Sequence, residues 1–109
     1  MSGINRVILT GHLGRNPELR CLTDGVAVVS FPLATSEMTG KGGSKHEFTE
    51  WHQMILWRGL AERAARLLKK GDLVYFEGKI RTRAHNDAAG IKRYATEIVA
   101  EHFSLLSKN

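Results

Sequence analysis

The stretch Glu47-Phe48-Thr49-Glu50-Trp51-His52-Gln53-Met54-Ile55-Leu56-Trp57, continued through Arg58-Gly59 by Leu60-Ala61-Glu62-Arg63-Ala64-Ala65-Arg66-Leu67-Leu68-Lys69-Lys70-Gly71, changes its hydrophobic period midway. Up to Trp57 the period is two. It separates Trp51, Gln53, Ile55 and Trp57 from Phe48, His52, Met54 and Leu56, as the two faces of a strand would. From Leu60 the period approaches 3.6: Leu60, Ala64, Leu67 and Leu68 fall on one side, with Arg63, Arg66 and Lys70 displaced from it. That predicts one amphipathic helix, ended by Gly71.

Strand signals surround this element on both sides. Ile4 to Leu13 alternates, with Val7, Leu9 and Leu13 on one face and Arg6, Ile8, Thr10 and His12 on the other. Asn16-Pro17 breaks the pattern and Thr23-Asp24-Gly25 supplies a tight turn. A second strand runs from Val26 to about Ser36; its Pro32, lacking an N–H, requires an edge, a bulge or an outward-facing position. Glu37 to His46 is glycine-rich and polar, a flexible loop or hairpin tip carrying Lys41 and Lys45. After the helix, Leu73 to Arg83 points Val74, Phe76 and Ile80 inward and Tyr75, Glu77, Lys79, Arg81 and Arg83 outward, which makes a basic stripe. Asn86-Asp87-Ala88-Ala89-Gly90 forms a hairpin loop before a last strand from Lys92 to about Leu105. The order is strand, strand, strand, helix, strand, strand. It predicts an all-β chain with one helix between strands three and four: the OB-fold, a five-stranded Greek-key barrel.

At 109 residues, 42% apolar and 25% charged, the chain reads as a single folded domain over residues 1–109. No apolar run approaches the roughly 20 residues of a membrane span, and Met-Ser-Gly-Ile-Asn-Arg at the start carries no signal-peptide core, so a cytoplasmic location is expected. The lone Cys21 fits a reducing compartment and reads as an ordinary strand residue. A net charge of +5 points to a polyanionic partner. His12, His46, His52, His85 and His102 never fall at metal-ligand spacings, and Asp24, Asp72 and Asp87 each adjoin turn residues or a helix end. With no nucleophile or phosphate-cradling motif either, neither an enzyme, a metal nor a cofactor is expected.

Read together, Asn5-Arg6-Val7-Ile8-Leu9-Thr10-Gly11-His12-Leu13-Gly14, Asn16-Pro17-Glu18-Leu19-Arg20, Leu33-Ala34-Thr35-Ser36, Thr49-Glu50-Trp51-His52, Leu60-Ala61-Glu62, Leu68-Lys69-Lys70-Gly71 and Val74-Tyr75-Phe76-Glu77-Gly78-Lys79-Ile80-Arg81-Thr82-Arg83 resemble the bacterial single-stranded DNA-binding protein family, in collinear order over almost the whole chain. The resemblance implies a homotetramer of OB domains, acting in replication, recombination and repair near the nucleoid. It implies binding by base stacking and phosphate contacts, without base readout. The family's stacking aromatics fall on Trp51 and Trp57, and its oligomer interface on His52, with Tyr75 beside it. Two further tryptophan positions of the family hold Thr39, or Met38, and His85, which implies weaker binding per subunit. Family members commonly continue into a flexible tail with an acidic, phenylalanine-ended tip that recruits partner enzymes. After Ser107-Lys108-Asn109 no such tail follows, and tail-mediated partners are not expected.

A sequence-tolerant single-strand binder needs aromatic platforms and a cationic track. Trp51 and Trp57 lie roughly 20 Å apart along one strand face, enough for separate bases. Arg81 and Arg83 would meet phosphates, joined by Arg58, Lys70, Lys92 and Arg93 at nearby element ends, by Arg6 and Arg20 at the first strand, by His85, and by the Lys41/Lys45 loop. Ordinary packing is the competing reading for the tryptophans, and a solvated face the better one for Arg63, Arg66 and Lys69. Two other functions fit a basic OB-fold: a primosome-type adaptor that binds proteins as well as DNA, and an RNA-binding OB domain that reads 2′-hydroxyls.

Overall fold

A computed structural model describes residues 2–43 and 45–109; Met1, and Ser44 of the glycine-rich loop, lie outside them. The chain forms β1 (Val7–Leu13), β2 (Arg20–Cys21), β3 (Ala27–Thr39), β4 (His46–Trp57), α1 (Arg58–Leu67), β5 (Leu73–Asn86) and β6 (Lys92–Ser107). Five long strands make the barrel of the expected OB-fold. The two-residue β2, which holds Cys21 against Ala27, is an added edge piece, so the helix lies between β4 and β5.

The sheet order is β1-β5-β6-β4-β3-β2, and a further pairing of β1 with β3 closes it. Closure needs a close approach: a Cβ on Gly11 would collide with the Ala34 carbonyl, so glycine alone fits there. Pro32 falls between the parts of β3 that pair with β2 and with β1, where its missing N–H breaks neither ladder. Inside, Phe31, Phe76 and Phe103 stack in tilted contacts at 5.8 and 6.1 Å, with Leu13, Leu33, Met54, Leu56 and Val74 around them. Full burial of each such side chain contributes roughly 1.5–3 kcal/mol.

The helix departs from its expected outline. It ends at Leu67 rather than running to Gly71, and Leu67 is exposed, because Leu68 leaves the helix in extended conformation and drops into the core instead. Ala61 and Ala64 provide the buried face, letting the helix lie close against β3 and β4. Gly71, at φ 90°, then turns the chain into β5. At that turn the carboxylate of Asp72, 1% exposed, accepts from Lys69 N–H, the Lys108 ammonium and Asn109 N–H. Burial alone would raise its pKa, but the hydrogen bonds from Asn109, Lys108 and Lys69 outweigh burial and hold it below its usual range.

Two hairpins extend beyond the barrel and lengthen the molecule to 54 Å against 36 and 35 Å across. The β3–β4 hairpin is strand to Thr39 and again from His46, so the loop expected over Glu37 to His46 shrinks to its central glycines and their neighbours. In the β5–β6 hairpin, Glu101 has no partner between Glu77 and Gly78, and this bulge bends the pair out of the barrel. Ile80, expected inward, keeps the inward parity but lies past the bend, 47% exposed. Asn5 pins the root of this arm by exchanging two hydrogen bonds with the backbone of Ile80, at 2.8 and 2.9 Å.

Candidate nucleic-acid interface

The period-two alternation of β4 sends Trp51, Gln53, Ile55 and Trp57 to the outer surface, opposite Ala34, Pro32, Ser30 and Val28 of β3. Trp51 is 60% exposed. Its ring lies over Gly14, where a Cβ would come within 2.7 Å of it. Trp57 is half-buried in a cleft of about 340 Å³ whose other walls are Arg20, Leu22, Arg81 and Arg83 and whose floor is Val28 and Ile55. Between the tryptophans, Arg15 donates to the Ser30 carbonyl at 3.4 Å and stands beside Glu18 and Arg20. The result is a track of aromatic surface at both ends with guanidinium groups beside it, the chemistry that takes base faces and phosphates together.

The arm carries this track past the barrel. Arg81, Arg83 and His85 face the same way as Glu97, Ala95 and Arg93 directly across β6. Glu97 is 4% exposed, and one of its oxygens holds Arg83 Nε at 3.0 Å and Arg81 at 3.8 Å. Burying a carboxylate this deeply is costly unless it is paired and hydrogen-bonded. Asp87 caps the hairpin loop by accepting from Ala89 and Ile91 N–H, and with its second oxygen it holds Arg93 Nε at 3.0 Å. The Arg93 guanidinium, followed by those backbone bonds, keeps the Asp87 carboxyl below its ordinary pKa.

Other expected contacts scatter. Lys92 belongs to the opposite face of the arm, its ammonium 5.9 Å from the Tyr94 ring. Arg6 is paired with Glu77, about 13 Å up β5 from Arg81 at the strand rise. Arg58 follows Trp57 in left-handed conformation, φ 58°, which costs a non-glycine residue on the order of 1–2 kcal/mol. Lys70 is exposed, its N–H donating to Asn16 at 2.7 Å near the Trp51 end of the track. Lys41 and Lys45 are exposed at the tip of the β3–β4 hairpin. Of the two residues offered for the first missing tryptophan, Met38 shares the face of Trp51 and Thr39 does not. Arg63, expected on a solvated face, is exposed there, as are Arg66 and Lys69, and its guanidinium also lies 4.4 Å over the Phe103 ring.

A second concavity, about 500 Å³, opens on the other side of β4, where Phe48, Glu50 and His52 meet Ile8 and Thr10 of β1 and Thr35, Ser36 and Glu37 of β3. His52 is half-buried and shares a 2.9 Å hydrogen bond with Thr35. Phe48 is 65% exposed and Ile8 56%. Thr10 pairs with Tyr75, so both residues expected at an oligomer interface flank this surface. Burial and then the Glu77 carboxylate raise the pKa of the Tyr75 phenol. Among the described residues no three His, Cys, Asp or Glu side chains gather as metal ligands would, and no helix is long and apolar enough to cross a membrane.

Residues 4–106 match the profile of the Single-strand binding protein family. The chain belongs to this family. A single-stranded DNA-binding protein of Neisseria meningitidis serogroup A is 47% identical over 104 residues, covering 94% of this chain and 60% of that protein, and its serogroup B counterpart gives the same figures. The single-stranded DNA-binding protein 1 of Chlorobaculum tepidum is 46% identical over 106 residues, covering 95% of this chain and 65% of that protein. The chain therefore spans a little under two thirds of the length of these relatives.

For this member of the Single-strand binding protein family, sequence reading passed over four residues of the track. Gly14 and Arg15 come together with the tryptophans only once β1 closes on β3. Glu97 needs the observed register: the strands pair about a turn of Asp87 to Ile91, with Asn86 opposite Lys92, and this places Glu97 opposite Arg81, whereas symmetry about Asn86 to Gly90 would place Ala95 there. Asp87 was assigned to its turn, and the turn uses only one of its two oxygens.

Proposed function

We propose that this chain binds single-stranded DNA without base readout, laying the strand along the outer face of β3 and β4 and onto the root of the β5–β6 arm. The observation that carries this reading is the cleft that sets Trp57 among Arg20, Arg81 and Arg83, with Trp51 farther along the same strand face. Each base stacked on a tryptophan contributes about 1–3 kcal/mol, and any base has a face to offer. The relatives, named as single-stranded DNA-binding proteins, support the same ligand. The protein acts by occupancy, with no chemical step, and would coat single strands during replication, recombination and repair. An exposed thiol at Cys21 suits the reducing cytoplasm in which such strands arise in a bacterium.

The groove of Ile8, Phe48 and His52 is the surface we assign to assembly with further copies of the chain, as a tetramer. Exposed apolar side chains rimmed by polar groups suit a protein partner.

Titration with unlabelled oligo-dT tests the reading through tryptophan fluorescence. Stacking quenches the emission, and the affinity falls steeply as salt rises, because bound phosphates release counterions. Emission that stays constant while DNA is bound would remove both tryptophans from the site. Oligo-U competing as well as oligo-dT would move the reading to RNA.

A further inference from the structure

Arg83 and Arg93 are held in the same manner. Arg83 donates Nε to Glu97 and Arg93 donates Nε to Asp87, each at 3.0 Å. Arg83 stands opposite Ala95 and Arg93 opposite His85, so the two arginines share one face of the arm as diagonal neighbours, about 7–8 Å apart at the backbone. A guanidinium carries five N–H donors in a planar fork, and these bonds engage only the one at Nε. Among the described residues, the terminal amino groups of neither arginine donate to the protein.

The anchors are firm for different reasons. Glu97 is 4% exposed and has Arg81 as a second partner at 3.8 Å. Asp87 is fixed by two backbone N–H groups of its own loop, both at 2.9 Å. An arginine stem held from one side loses its rotamer freedom before any ligand arrives, so less entropy is lost on binding. The free end still presents the parallel N–H pair that matches two phosphate oxygens.

We propose that Glu97 and Asp87 are positioning residues, which hold Arg83 and Arg93 by Nε and present their terminal forks as two adjacent phosphate clamps. The proposal rests on the DNA-binding reading above. It also runs against simple electrostatics: a carboxylate beside a polyanion repels it, so if Glu97 acted through charge alone, its removal would tighten binding.

Two substitutions separate these effects. Glu97→Gln and Glu97→Ala each remove one negative charge, and only glutamine keeps an acceptor oxygen for Arg83 Nε. Dissociation constants for oligo-dT, measured by anisotropy between about 50 and 200 mM NaCl, are expected to be about tenfold weaker for Glu97→Ala than for Glu97→Gln. The salt slope of Glu97→Ala should be shallower by about one. Equal affinities and slopes for the pair would overturn the proposal. Should Glu97→Ala fail to fold, Arg83→Lys decides: lysine keeps the charge but has no separate Nε to be held by and no planar fork for two phosphate oxygens, so binding about fivefold weaker than the unsubstituted protein is expected, and undiminished binding overturns the proposal. Failure of the unsubstituted protein to bind oligo-dT would bring down the DNA reading itself; intact binding with an indifferent Gln/Ala pair would bring down only the anchoring.

Discussion

The two concave surfaces of the barrel are built from alternate residues of one strand, and they differ in what they gather. Trp51, Ile55 and Trp57 of β4 look onto a track edged by Arg15, Arg20, Arg81 and Arg83. Phe48, Glu50 and His52 look into a groove that also holds Glu37 and the exposed Ile8. A single strand of DNA brings one negative charge per nucleotide. On the proposed function it would be drawn to the arginines of the first surface and repelled by Glu37 and Glu50 of the second. On the same reading, strand parity would sort two kinds of partner onto opposite sides of a strand only one residue thick, so that a polymer and a neighbouring subunit could be held at once.

The contrast can be broken in three ways, ranked by the expected change in DNA affinity. Trp57→Ala removes a platform and uncovers the apolar floor of the cleft; oligo-dT affinity should fall between about 5- and 150-fold, with the assembled mass in light scattering unchanged. A fall in mass as well would mean that Trp57 serves the subunit contact. Gly14→Ala leaves both tryptophans in the chain but pushes the Trp51 ring from its seat by the 2.7 Å approach. A loss of about 3- to 10-fold is expected, together with altered Trp51 emission in the free protein. Phe48→Glu places a third carboxylate at the groove. Assembled mass should drop, while affinity for an oligonucleotide short enough to occupy one subunit stays within about twofold, since the charge lies on the far side of β4. Equal damage to affinity and assembly would mean that the two surfaces are not independent.

Much of this division was legible in the sequence because period two assigns faces before any pairing is known. The same reading of β4 that placed both tryptophans together placed His52 against them, and the structure keeps both assignments. Where chain ends and bends decide, alternation was a poorer guide. Leu67 and Leu68 look equivalent in a helical pattern, yet only the residue that has left the helix reaches the core. Ile80 has inward parity but no interior to enter once the bulge at Glu101 turns the arm outward. Gly14 and Arg15 carry no periodic signal at all, since their place beside the tryptophans follows from a loop crossing β3. Arg6 and Lys92 show that a basic residue near a basic stripe need not join it: one is claimed by Glu77, the other lies on the reverse face.

The knot of hydrogen bonds at Asp72 also bears on how the molecule can be handled. Lys108 and Asn109 are bound to the carboxylate that opens β5, while the arm tip lies at the other end of that strand, 14 residues on, about 46 Å measured along the strand at its rise. A dye or affinity group joined after Asn109 therefore starts at the pole remote from the arm. A surface tethered through that point would hold the barrel with its arginine arm facing the solution.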